Sequence, residues 1–412
     1  MKLRTIVTWQ IIVAAFWLLI GCATLCPAAD PATRPAAEPE PFFPLMAWNH
    51  VPNDPAALRR MRECGLTVAG FAPPEALDAC RAAGLKAIVS DPRISTHDWR
   101  AAAPAAALAK AAEAVDAVRC HPAVLGYYLR DEPGADLFPG LAAVAGVVRE
   151  HHPAAWPYIN LFPNYATPGQ LAAPTYEAYL EKFVEACRPP VLSYDHYALH
   201  EGGRFTEAYF TNLEQVRRVA AKHKLPFWNI VQAEACLNFR EPTAVDFRFQ
   251  VYTSLAYGAG GIAYFQYFGE PSGNFRGAPV EPFGNETPAW GWMRQVNLQV
   301  GKLAPTLLKL RHDRAYHLKH VPPGCGGPDE QSLVASAAAG DLLVGDFTHA
   351  DGTRYALCVN TDFAASVPCQ PRFREAVKRT EAVSPYTGQL IAFAGEGVWL
   401  APGQGVLLKL TR

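Results

Sequence analysis

Two glutamates stand where apolar runs end. Val124–Gly134 (VLGYYLRDEPG) reads as a buried strand that closes on Asp131 and Glu132 and turns at once on Pro133-Gly134. Further along, Phe227–Cys236 (FWNIVQAEAC) repeats the pattern with a lone carboxylate, Glu234. Two carboxyl groups in different surroundings can divide an acid from a base. One stays protonated to expel a leaving oxygen, and the other is ionised to attack or stabilise an anomeric carbon. A single glutamate at a strand end is more often a solvated loop residue or a salt-bridge partner, so the weight rests on the pair.

The elements that must position them alternate regularly. Strand-like runs at Leu45–Val51, Leu66–Ala72, Leu85–Ser90, Val124–Glu132, Trp156–Phe162, Val191–Leu199, Phe227–Glu234 and Ile262–Phe268 are separated by helical stretches. These include a long alanine-rich region over Thr96–Arg119 and a final helix over Trp290–Lys309. Strands that alternate with helices pair in parallel through right-handed crossovers. Near-continuous apolar strands mark burial on both faces. Eight such units predict a closed (β/α)8 TIM barrel over residues 44–312, with a doubly wound sheet as the other arrangement. Functional groups of a barrel lie at the C-terminal strand ends.

Strand parity puts Tyr128, Arg130 and Glu132 on one side of the fourth strand, and Trp228, Ile230, Gln232 and Glu234 on one side of the seventh. If these sides face the axis, Arg130 holds Glu234 ionised. Trp48, Asn49 and His50 end the first strand, Asn160 the fifth, and Asp195, His196 and Tyr197 the sixth. Polar groups paired with flat aromatic faces suit a sugar site. Trp48, Tyr267, Trp290 and Trp292 are the candidate faces, although each alone is more often core. His196 beside Asp195 has no second histidine at ligand spacing, which argues against a metal centre. The irregular loop Gly269–Ala289 is long enough to form a wall or lid.

From about Arg314 the period changes to short strand-like runs between Asp-Gly, Thr-Gly and Pro-Gly turns. Residues 313–412 are expected to form a small antiparallel β-sandwich domain. The N-terminus has the features of an export signal. Lys2 and Arg4 precede the apolar run Ile6–Ile20, and Leu19-Ile20-Gly21-Cys22 resembles a lipobox, which gives a lipidated Cys22. An ordinary signal cut near Ala28-Ala29, or an uncleaved anchor, are the other readings. Residues 23–43, rich in Pro and Ala, form a tether. A periplasmic or cell-surface location follows, with the membrane touched only through that anchor.

The 412-residue chain is 50% hydrophobic and 18% charged, with a net charge of −1. That balance gives no electrostatic ground for a nucleic-acid partner. The 10 cysteines contain no CxxC and no metal-spaced cluster, so most read as small buried hydrophobes.

With these residues in place, the chain resembles glycoside hydrolase clan A, the retaining (β/α)8 glycosidases, and in particular the β-galactosidase-like barrels with Asp-Glu-Pro after the fourth strand. Thr287–Leu303 (TPAWGWMRQVNLQVGKL) is similar to their last barrel helix. The resemblance implies Glu132 as acid/base, Glu234 as nucleophile and Tyr197 as the nucleophile's hydrogen-bond partner. It further implies an oligo- or polysaccharide substrate and no cofactor. Asp131 stands where the family has the Asn that binds the sugar 2-hydroxyl, and Phe265-Gln266-Tyr267 stands where a tryptophan ends the eighth strand. The expected site is therefore Glu132 and Glu234 with Asp131, Trp48, Asn49, Asn160, Asp195, Tyr197, Gln232, Tyr267 and Trp290. A catalytically silent barrel that binds glycans as a surface lipoprotein, and a lyase, are the competing readings.

Overall fold

The structure is a computed structural model that describes residues 42–99, 103–395 and 397–411. The leader, Cys22 and nearly all of the tether lie outside the described residues. Eight parallel strands close in sequence order into a barrel: β1 Leu45–His50, β2 Val68–Ala72, β3 Lys86–Val89, β4 Val124–Asp131, β5 Trp156–Leu161, β6 Leu192–Asp195, β7 Phe227–Gln232 and β8 Gly261–Phe265. Alternation along each strand sorts side chains into two cores. Met46, Trp48, Val68, Phe71, Ile88, Tyr158, Trp228, Ile230 and Ala263 fill the interior. Leu45, Ala47, Tyr127, Leu129, Val231, Ile262 and Tyr264 face the helices outside. Gly261 is glycine because the Trp228 indole fills the base of the barrel, and a Cβ there would lie 2.4 Å from its Nε1.

The helices start where the chemistry predicts. Asp54 accepts from Ala56 N ahead of Pro55–Glu63, and Thr175 accepts from Ala178 N ahead of Tyr176–Cys187. Among the described residues, the helix of the alanine-rich region starts later than expected, at Ala105, and a short helix precedes the region. Pro92–Ser95 and Ala105–Val118 are separate, the second beginning after Pro104, because proline cannot donate inside a helix.

Beyond the last barrel helix, Pro288–Leu307, the chain forms β9 Leu310–His317, β10 Val334–Ala337, β11 Leu342–His349, β12 Arg354–Asn360, β13 Val367–Pro368, β14 Pro371–Phe373, β15 Arg379–Val383, β16 Leu390–Ala392, β17 Trp399–Leu400 and β18 Gly405–Thr411. Six of them make an antiparallel sheet in the order β16-β15-β18-β12-β11-β9. One face (Leu343, Phe347, Leu357, Leu407) joins the barrel's outer core. The other (Val344, Cys358, Leu408) packs under the two-stranded pairs β10-β14 and β13-β17, which contribute Val334, Val367 and Leu400. This is the second layer of the expected sandwich. Strand β9, with the polar run LRHDRAYH, begins at Leu310 and runs across the expected boundary at residue 313.

The junction is close-packed. Gly345 lets β11 lie against the helix Ala244–Ala256, since a Cβ there would be 2.1 Å from Ala256 O. Phe363 packs on Phe249 at 4.3 Å and Phe205 at 5.2 Å between ring centres.

Candidate active site

The fourth strand does not keep its phase. A bulge between Tyr128 and Arg130 shifts the β4–β5 register, so Asp131 pairs with Asn160, and Asn160 in turn with Ser193. Tyr128 faces the interior, stacked on Phe71 at 3.9 Å. The expectation that Arg130 faces Glu234 is therefore corrected: its charge acts on Asp131 and Tyr128.

Asn160, buried at 1% exposure, joins two carboxyls. Its Nδ2 donates to Asp131 Oδ1 at 3.0 Å and to Asp195 Oδ1 at 2.8 Å. Its Oδ1 accepts from Ser193 Oγ at 3.1 Å, and Ser193 lies 2.8 Å from the Tyr158 hydroxyl. Ser193 has one proton and gives it to Asn160, so Tyr158 donates to Ser193. The chain of donors runs one way, from the phenol to the carboxyls.

Glu132 follows on a left-handed backbone, φ 43°, with its N–H donated to Asn160 O at 2.9 Å. A non-glycine residue there is strained by about 1 kcal/mol, and such strain gathers at functional sites. Burial pushes Asp131 up to about 6, against the Asn160 hydrogen bond and the Arg130 charge. Burial, then the Asp131 charge, push Glu132 up to about 7. Asp195 is raised well above the carboxylate range by burial, then by Glu132 and Asp131.

Glu234 lies two residues past β7, fully buried. Neither carboxyl oxygen has a hydrogen-bond partner, and the Gln266 amide nitrogen is also unpartnered. Burial pushes Glu234 up to about 8; the Gln266 amide dipole opposes this and the charge of Glu270 adds to it. Asn49 Nδ2 donates to Gln266 Oε1. Gln232 Nε2 donates to the carbonyls of Glu234 at 3.1 Å and Arg240 at 2.7 Å, which holds the turn after β7. The loop of residues 269–289 is a braced wall beside Glu234. Ala235 and Arg276 exchange backbone hydrogen bonds at 2.9 and 3.1 Å, and Asn274 binds both the N–H and the carbonyl of Leu237.

The aromatic floor consists of Trp48, edge-on to Phe71 at 4.9 Å and tilted to Phe265 at 5.5 Å. Tyr197 stacks on Phe265 at 5.3 Å, beside Asp195 and in electrostatic reach of Asp131 and Glu132. It makes no hydrogen bond with Glu234, contrary to the family pattern. Tyr165, beyond β5, meets His196 edge-on at 5.0 Å. The ring is half-exposed; burial, then the charges of Asp195 and Glu132, push its pKa well up.

Of the expected residues, Asp131, Glu132, Asn160, Asp195 and Tyr197 come together as one group. Trp48, Asn49 and Gln232 lie on the barrel's interior side with Glu234. Tyr267 and Trp290 do not join them. Tyr267 belongs to the outer core and accepts from Trp290 Nε1 at 3.0 Å. The strand has ended at Phe265, so period-two facing no longer applies. Trp292 also packs on the outer core. His196 is buried, with Nδ1 2.9 Å from Asn212 Oδ1, and burial pushes it down to about 4. Sequence reasoning missed Ser193, Tyr165, Gln266 and Glu270. Only Ser193 had a readable signal, being in phase with Asp195 on β6.

The fold is shared with solved glycosidases. A β-galactosidase from Bacillus circulans sp. alkalophilus superposes with a TM-score of 0.62 at 10% identity, covering 90% of this chain and 99% of that one. A glycoside hydrolase family 5 protein from Bacteroides vulgatus gives 0.58 at 12% identity, covering 90% and 89%. The chain spans 60% of the length of a β-galactosidase from the psychrophilic Marinomonas ef1, at 14% identity over 64% of this chain and a TM-score of 0.49. No protein-family model and no curated protein matches the chain. The likeness is thus one of fold, to solved glycosidases.

Proposed function

We propose that this chain is a retaining glycoside hydrolase of extracellular or periplasmic glycans, with Glu132 as acid/base and Glu234 as nucleophile. The observation that carries the reading is the placement of two carboxyls with raised pKa at the C-terminal ends of β4 and β7, above an aromatic floor. Glu132, held near neutrality, carries a proton that it can give to the leaving oxygen. Ionised Glu234 then attacks the anomeric carbon and forms a glycosyl ester. Glu132, now a base, takes a proton from the water that cleaves the ester. Hydroxyls of a bound sugar supply the hydrogen-bond donors that Glu234 lacks. Tyr165 and Tyr197 offer flat faces for the sugar's C–H surface.

The test is a proton-NMR time course on an aryl glycoside. The first-formed sugar should keep the configuration of the substrate. An inverted product refutes the double displacement, and no turnover on any glycoside of a broad panel refutes the hydrolase. The place of action rests on the leader through Cys22. Labelling with a palmitate analogue should mark the native chain and not Cys22→Ala.

A further inference from the structure

The appended β domain carries a groove that the barrel chemistry does not use. It encloses about 420 Å³ and opens between β14, on one layer of the sandwich, and β15 with the residues just after β16, on the other. None of its lining residues belongs to the barrel.

Its lining is part apolar and part cationic. Phe373 and Phe393 are half-buried, packed against the domain's core, and still line the groove. Arg372, Lys378 and Arg379 are exposed along it. Arg379 is paired with Glu381 at 2.7 Å. Arg372 and Lys378 form no ion pair with a described residue. None of the described lining residues is acidic, in a chain whose net charge is −1. Gln370 and Thr380 add an amide and a hydroxyl whose side chains make no hydrogen bond to a described residue.

Cations at a sheet edge can serve only to keep edges from pairing. That role needs no open groove. Apolar surface left open to water costs free energy that a ligand with an apolar face recovers. Phenyl faces receive the C–H surface of a pyranose, and amide and hydroxyl groups orient its hydroxyls. A guanidinium binds a carboxylate through two parallel N–H bonds.

We propose that this groove binds an acidic glycan, a uronate-bearing saccharide strand, outside the catalytic centre. A neutral glycan covers the rings but leaves the cations unanswered. A phosphate answers the cations but leaves the rings uncovered. A uronate satisfies both. This assignment deepens the hydrolase reading and rests on it for the choice of a glycan, while binding itself needs no turnover.

The test is calorimetric binding of oligogalacturonate and oligomannuronate, each against its methyl ester, to the full-length chain. Esterification removes the charge and keeps the ring and its linkages. One free acid should bind about tenfold or more tightly than its ester, and that preference should shrink severalfold from low to high salt. Arg372→Gln combined with Lys378→Gln, at two exposed and unpaired positions, should abolish the preference. The same protein should keep its Tm and its turnover of a neutral aryl glycoside. Phe393→Leu keeps an apolar side chain and removes the ring face, so it should weaken acid and ester alike. Equal binding of acid and ester, a preference that survives the double substitution, or no binding at millimolar concentration overturns the proposal. Displacement of the uronate by inorganic phosphate at matched charge overturns it too, leaving only an anion-binding edge. Binding to phosphatidylglycerol vesicles without binding to any uronate overturns it in favour of a lipid surface. Uronate binding without turnover of any glycoside supports it and removes the hydrolase reading, and turnover without uronate binding does the reverse.

Discussion

Removing the charge of Asp131 tests which glutamate carries the catalytic proton. Glu132 stands at about 7 and Glu234 at about 8. If Glu132 is the acid and Glu234 the nucleophile, the working form has the proton on the group that holds it less tightly. At the optimum, near pH ~7.5, only about 6% of the free enzyme is in that form. Asp131 raises Glu132 by like-charge repulsion, so Asp131→Asn lowers the Glu132 pKa. Each unit of fall moves the acid limb of kcat/KM down by one unit and cuts the working fraction about sevenfold, to about 0.8%. With the roles exchanged, about 58% of the enzyme is productive at the optimum, and the same substitution raises that share instead of lowering it. The assay is a pH profile of kcat/KM on a neutral aryl glycoside, so that loss of an ionic contact to substrate does not enter. A shifted acid limb with undiminished kcat/KM refutes the assignment of roles. An unmoved limb refutes the claim that Asp131 tunes Glu132.

Glu234 is held at about 8 against an ordinary 4.5. A carboxyl raised by folding contributes stability that is full below its unfolded value and lost as pH rises through the folded one. Glu234→Gln, which imitates the protonated form, should match wild type near pH 4.5 and exceed it at pH 9, by at most about 5 kcal/mol, read from urea unfolding. Asn160→Ala leaves Asp131 and Asp195 without their shared donor and should cost about 2–4 kcal/mol in the same assay at pH 7. Gly345→Ala forces a Cβ into Ala256 O and should lower the stability of the whole 41–412 unit by about 2 kcal/mol or more, seen as a lower Tm in calorimetry. Trp290→Phe deletes the hydrogen bond to Tyr267 and trims the ring that Arg294 covers at 5.9 Å, both in the outer shell. It should cost about 1 kcal/mol of stability and change kcat/KM less than about twofold.

The barrel was legible because its strands are buried on both faces and several of its helices start at side-chain caps, as at Asp54 and Thr175. β1, β5 and β7 begin at Leu45, Trp156 and Phe227, the residues where the expected strands begin. Facing near the mouth was less legible. Parity assumes an uninterrupted pleat, and the β4 bulge breaks it one residue before the site. The same limit applies past β8, where Tyr267 follows a strand that has already stopped. Strand β9 was hidden because its first half is polar: Arg311 is exposed, and His312, Asp313 and Arg314 are half-buried. Its pairing with β11, not its own composition, makes it a strand. Tyr165, Gln266 and Glu270 sit on loops with no period to read. Only the closed ring of strands brings them within electrostatic reach of the carboxyls.

The most direct test of the central claim is azide rescue of Glu132→Ala and Glu234→Ala on a 4-nitrophenyl glycoside. The two-glutamate account predicts that both variants lose turnover by orders of magnitude without azide. With azide, Glu132→Ala should form the glycosyl azide of retained configuration, and Glu234→Ala the inverted one. Turnover within tenfold of wild type in either variant, or the same azide anomer from both, contradicts it.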